Sequence, residues 1–434
     1  LYLIGYWPGA ISADGLLSWA AANSNLANNW QPLFYSMYLR FFIQFCDHIA
    51  VISAAQILYV ALFLAWVLYS ARVAGAGWFA ILLSFFAVLS SASIGLFNIM
   101  MFKDTAYTIL MLFWGYSFFR ARLAGGRPYI TEFSAYWWML GAALVGLCGL
   151  RHNGIMFLVF IPVFSSICGV FSRMDCVRFS ALFSSIFFVI FNGLGTYSGA
   201  HDRTAYPALH VVWQTNFLAS LLQHQRFNSD SPESDLKVID KIAPHEDLKN
   251  SELGVIFGSS YNHFPKSSDL SALNKLVLRL TLDNLHIIGA RKAFDTMEML
   301  LGMEYIWDQG YIRPRQESTY FWSYLPAEIE FKSYIPALTA VLDDLVLATL
   351  PFKRLMSWRT HHFTAIVPLF ILLVGVCLTG RYPASGYFAI FLLIQLALVV
   401  VVLPENNFRY AYFIYLGGYL FPALLSAEMR RAQR

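Results

Sequence analysis

The sequence predicts an all-α polytopic membrane protein, with about ten transmembrane helices and a mainly helical domain outside the bilayer. Three observations predict it. Of the 434 residues, 58% are hydrophobic and only 13% are charged, roughly half the charged share of a soluble domain. Apolar runs of membrane-helix character recur along the chain. Every second connection between those runs carries arginine, the pattern that the positive-inside rule expects of the cytoplasmic loops of a polytopic protein. The aromatic content of 17% suits helices that end at a membrane–water interface.

The first apolar stretch, 1–6, is shorter than the roughly 20 residues a spanning helix needs, so the first span is expected to be only partly present. No basic leader or small-residue cleavage site precedes the polar patch that follows, and no cleavable signal peptide is expected. Further runs lie at 49–71, 77–97, 105–119, 134–150, 154–171, 179–198, 364–380, 386–403 and 409–427, which with 1–6 gives ten candidate spans.

With the N-terminus cytoplasmic, the inner side holds Arg72, then Arg120, Arg122 and Arg127, then Arg173 and Arg178, then Arg381, and finally Arg430, Arg431 and Arg434. Both termini are therefore expected in the cytoplasm. The outer side receives 7–48, the turns 98–107, 150–154 and 403–410, and the long stretch 199–363. That stretch carries most of the carboxylates and is long enough for a small helical domain. The expected organisation is a transmembrane module over 1–198 with its first outer loop at 7–48, an outer domain over 199–363, and C-terminal spans over 364–434. Segment 335–350 is apolar, but Asp343 and Asp344 sit in its middle. Two central carboxylates are expensive in lipid, so it reads as an amphipathic helix on the outer face.

A net charge of +4 without a basic run excludes a nucleic-acid footprint. The five cysteines are scattered without C-x-x-C spacing, which argues against a disulfide framework or a structural metal.

Each outer turn carries ionisable groups at a membrane boundary, where such groups usually mark a pathway or a site. Asp14 is the lone carboxylate between Leu1 and Gln44. It is placed to cap the helix that follows and to serve as a general base. Lys103 and Asp104 open the run after 102, where the lysine either snorkels or meets a phosphate beside an acid that orients it. Arg151, His152 and Asn153 interrupt two apolar runs, and an arginine fork matches phosphate oxygens. Glu405 and Arg409 are four apart, the spacing of an intrahelical pair, and Tyr410 opens a tyrosine belt. Together these groups suit a polyanionic ligand and a reaction that needs a base.

The same turns resemble the GT-C superfamily of membrane glycosyltransferases, which use polyprenyl-phosphate sugars. "PGAISADGLLSW" (8–19) followed by "NWQPLFYSMYLRFF" (29–42) resembles the family's first outer loop, with Gln31 where a proline or histidine is usual. "FKDTAYTILML" (102–112) is similar to its Lys-Asp turn, and "RHNG" (151–154) and "ENNFRYAYFIY" (405–415) resemble blocks of bacterial members. The resemblance covers roughly 1–198 and 364–434. Size and layout are most similar to the O-antigen-modifying glucosyltransferases that convert serotype by altering lipopolysaccharide.

The resemblance implies transfer of glucose or another hexose from an undecaprenyl-phosphate donor to a periplasmic glycan or lipid-linked acceptor, at the bacterial inner membrane. Asp14 is then the catalytic base. Lys103, Arg151 and Arg409 meet the donor phosphate, and Asp104, His152, Asn153, Glu405 and Tyr410 support them. No cofactor is required. A divalent metal stays open, although the first loop lacks Asp-x-Asp. The competing expectations are a transporter or flippase of lipid-linked sugars, and an O-antigen polymerase or ligase with a lipid-diphosphate donor.

Overall fold

The computed structural model describes residues 2–7, 32–46, 48–126, 133–197, 231–241, 244–250, 267–286, 335–347, 365–402 and 408–433, with isolated positions between them. Among these residues helix is the regular structure and there is no β-strand. The chain divides into two compact units. One comprises 1–199, 299–399 and 407–434, the other 200–298 and 400–406. The stretch 199–363, read from sequence as one outer segment, is shared between them.

The first unit contains α1 (Tyr2–Gly5), α2 (Leu33–Ile43), α3 (Ile49–Val73), α4 (Trp78–Ser90), α5 (Ala92–Ile99) and α6 (Lys103–Leu123). After these come α7 (Ala135–Leu150), α8 (Phe157–Cys168) and α9 (Arg173–Tyr197). Three helices, over Ile49–Val73, Arg173–Gly193 and Pro383–Val400, are long and apolar enough to cross a membrane. α4 and α5 pass the same test together but are bent by 62°. The sequence reads 77–97 as one span because hydropathy registers no break there. Ser91 makes the break: its backbone is extended and its Oγ accepts the Ile94 N–H at 3.4 Å, a serine N-cap that starts a new helix.

Two helices of 21 residues, α6 and the last helix Tyr412–Ala432, are long enough but less apolar. Packing explains this. The last helix is buried along most of its length and packs against α3, α4, α5 and α6, while α6 is covered by α3, α7 and α8. Helices surrounded by other helices can carry Tyr, Ser and Gly where a lipid-facing helix needs aliphatic groups. The outer helices show the complement: Phe79, Val159, Val189 and Phe370 are exposed, an apolar belt that a soluble unit would not present.

At one end of this unit the arginine-bearing turns meet. Arg72 Nη1 donates to the Ala76 carbonyl at 2.9 Å, and the Gly77 N–H donates to Ser426 Oγ at 3.0 Å. Arg122 lies 4.7 Å from the centre of the Tyr387 ring, and the Ile130 N–H donates to the Val170 carbonyl at 3.2 Å. Asn98, Asp104, Arg151, Tyr410 and Tyr412 meet at the other end, where the candidate site lies.

The second unit contains α10 (Pro232–Asp240), α11 (His245–Asn250) and α12 (Ser267–Asp283). Leu273, Leu276, Val277 and Leu280 form one face of α12 at helical spacing. They pack with Ile239, Leu248, Leu218, Leu221 and Leu222 in a separate core. The buried Asp235 carboxylate is paired with Arg279 and accepts the Ser229 hydroxyl.

The first unit is completed by α13 (Pro336–Leu347), α14 (Ile366–Cys377), α15 (Pro383–Val402) and α16 (Tyr412–Ala432). α13 falls on the segment read as amphipathic and packs against α1. The five cysteines are free.

Candidate functional site

The site is built around a break in the chain between α5 and α6. Residues Met100 and Phe102 are extended, so the helical hydrogen-bond ladder is interrupted between α5 and α6, and buried carbonyls at the break need partners. Neighbouring side chains supply them. Ser53 Oγ donates to the Ile99 carbonyl at 2.9 Å, Gln56 Nε2 to the Phe102 carbonyl at 3.0 Å, and Thr105 Oγ1 to the Phe97 carbonyl at 3.3 Å. The Tyr412 hydroxyl donates to Asn98 Oδ1 at 2.7 Å, and its ring stacks on Phe97. The N-terminus of α6 is thereby fixed against α3 and α16.

Asp104 lies in the first turn of α6, where the helix dipole favours a carboxylate. Arg151 follows the end of α7 in an extended conformation. The turn after it is tight, because a Cβ on Gly154 would lie 2.0 Å from the Leu147 carbonyl oxygen. Glycine is therefore required in "RHNG", and it delivers Arg151 to Asp104. Arg151 Nη1 is 3.0 Å from Asp104 Oδ1, with side-chain exposures of 11% and 2%. The guanidinium also lies over two rings, 5.2 Å from the centre of Tyr107 and 4.9 Å from that of Tyr410, both close enough for cation–π attraction.

The pair is close but poorly aligned. Neither Asp104 oxygen receives a well-directed hydrogen bond among the described residues. The 3.0 Å contact is thus an ion pair held off the hydrogen-bond axis. A buried carboxylate in that condition is costly.

Of the residues singled out from sequence, Asp104, Arg151 and Tyr410 come together. Lys103 is partly buried at the first position of α6, next to Asp104 in the chain. His152 and Asn153 fall in the 3-10 turn His152–Met156, and Arg409 in the 3-10 turn Phe408–Ala411 beside Tyr410; their side chains are outside what is described. Asp14 and Glu405 lie outside the described residues. The first loop can still be followed in part. The Gly9 backbone is so close to α3 and the end of α5 that a Cβ would meet Ser53 Oγ at 2.4 Å and the Ile99 carbonyl oxygen at 2.9 Å. Gly15, Ser18, Trp19 and Ala22, after Asp14, are helical and buried.

The sequence reading missed Tyr107, Gln395, Gln56 and Ser53. Gln395 Nε2 donates to the Tyr107 hydroxyl oxygen at 3.0 Å, and both side chains are buried. The available signal was the lone amide in each of two apolar runs, "AAQILYV" and "LLIQLAL". Among the described residues no group of three His, Cys, Asp or Glu side chains forms a metal site. No protein-family model, curated protein or solved structure matches the chain.

Proposed function

We propose that the protein is an inverting glycosyltransferase that moves a hexose from undecaprenyl phosphate to a glycan or lipid-linked O-antigen acceptor. In this reading it is a ten-span protein of GT-C type in a bacterial inner membrane, with its termini cytoplasmic and its site periplasmic. The supporting observation is the buried Asp104–Arg151 pair beneath Tyr107 and Tyr410, at the end opposite the arginine-rich turns. Ionisable groups are retained at membrane depth at a cost, and function is the usual reason.

Charge sets the class of ligand. Lys103 and Arg151 bring two cations to the first turn of α6 beside Asp104, the chemistry that meets an anionic phosphate. Asp14 follows Gly9 by five residues in the chain, a separation of at most about 18 Å.

In the reaction Asp14 removes the proton from an acceptor hydroxyl as the oxygen attacks the anomeric carbon. The bond from that carbon to the phosphate oxygen breaks on the opposite side, and its electron pair leaves with undecaprenyl phosphate. Lys103, Arg151 and Arg409 offset the phosphate charge. One displacement inverts the configuration.

The 62° bend between α4 and α5 favours the alternative, a transporter of lipid-linked sugars, because such proteins carry broken helices. Charges in the described spans, however, keep to the helix ends, whereas transport sites sit near the midplane. Purified protein given undecaprenyl-phosphate glucose and a lipid-linked O-antigen should yield an acceptor heavier by a hexose. Asp14→Asn should yield none. Turnover of Asp14→Asn at the wild-type rate removes Asp14 as the base, and movement of the donor across proteoliposomes without any mass change supports the transporter.

A further inference from the structure

We infer that Tyr107 and Gln395 are positioning residues that hold the Arg151 guanidinium for an anionic phosphate; this rests on the reading that Arg151 meets the donor phosphate. Gln395 is the single side chain with a hydrogen-bonding group between Ala389 and Val402. It is 1% exposed, in a helix apolar enough to cross a membrane. An amide there is retained only with a partner, and its partner is the hydroxyl of Tyr107 at 3.0 Å. Tyr107 in turn presents its ring to Arg151.

The chain of contacts has a directional consequence. A hydrogen bond at the hydroxyl pins the far end of the Tyr107 ring axis, and packing of the buried ring against Phe157 limits rotation about that axis, so the ring plane is held. A fixed plane sets the plane of the guanidinium over it. Asp104 engages Nη1 from one side, and Tyr410 provides a second ring. The remaining N–H groups of the fork are then held in one orientation, which lowers the entropy lost when a phosphate binds. α15, which contributes no charged side chain, thus acts on the site through one amide.

The test is a binding cycle on full-length protein in detergent, with undecaprenyl phosphate as probe and undecaprenol as the uncharged control. Tyr107→Phe keeps the ring and loses the link, so binding should weaken about threefold. Gln395→Leu should do the same, at a lower unfolding midpoint than Tyr107→Phe because it leaves the buried Tyr107 hydroxyl without its partner, so binding is read per folded protein. The double variant should equal either single variant, since both remove one bond. Tyr107→Leu removes the ring as well and should weaken binding about tenfold or more. Additive effects of Tyr107→Phe and Gln395→Leu, or wild-type affinity in both, would overturn the inference even if Tyr107→Leu does not fold. A wild-type protein that binds the probe no better than undecaprenol would instead remove the functional reading, and the inference with it.

Discussion

The two ends of the first unit each bury a carboxylate, and the two are treated in opposite ways. Glu428, near the end of α16, is 7% exposed. Its oxygens accept the N–H groups of Ala384 and Ser385, each at 2.8 Å. These belong to the first turn of α15, whose N–H groups have no helical partner, so Glu428 caps a neighbouring helix and both of its oxygens are used. Asp104 is 2% exposed, yet among the described residues neither oxygen has a well-directed hydrogen bond and its partner is an arginine that also lies over two rings. One carboxylate is satisfied by backbone and explains itself as structure. The other leaves bonding capacity unused beside a cation, which structure alone does not explain.

Removing Arg151 is the strongest way to break this contrast. Arg151→Ala leaves Asp104 buried without its counter-ion, which should cost about 3–5 kcal/mol and abolish phosphate binding. A thermal unfolding midpoint and a probe-binding isotherm check both, and an unchanged midpoint would show that Asp104 is not buried as a charge. Asp104→Asn is milder for folding, about 1–3 kcal/mol, because Arg151 keeps its ring contacts. Its larger effect should be on transfer. Glu428→Gln keeps one of two acceptors and should lose about 1 kcal/mol, read as the unfolding midpoint, with transfer unaffected.

The smallest expected effect lies in the second unit. Burial raises the Asp240 carboxyl, but hydrogen bonds from the His245 backbone and ring outweigh it and hold the carboxyl below its usual range. A depressed acid stabilises the fold above its unfolded value of about 4 and loses that contribution as pH falls through the lower folded value. Asp240 is largely exposed, so the effect should be about 0.5 kcal/mol or less. Asp240→Asn should flatten the acid limb of a stability–pH curve only slightly, and a large change would contradict the exposed position of Asp240.

How much of this was legible in the sequence follows the same division. Charges at helix ends are visible as interruptions of apolar runs, so Lys103, Asp104, Arg151 and Tyr410 stood out. Hydropathy averages over about a helix length, so it could not register the bend at Ser91 or separate α6 and α16 as inner helices. The sequence also gave no sign that Asp104 faces Arg151. The two are 47 positions apart in the chain, and their meeting depends on how α6 packs against α7 and on the close turn at Gly154. Gln395 carried a signal in its isolation, but its partner on α6 could not be read from either segment alone.

The most direct measurement is hexose transfer by wild type, Asp104→Asn and Glu428→Gln, normalised to folded protein in the same detergent. If one buried carboxylate orients a phosphate-binding arginine and the other caps a helix, kcat/KM should fall about a hundredfold in Asp104→Asn and stay within about twofold in Glu428→Gln. Equal losses in both variants, or full activity in Asp104→Asn, would contradict the account.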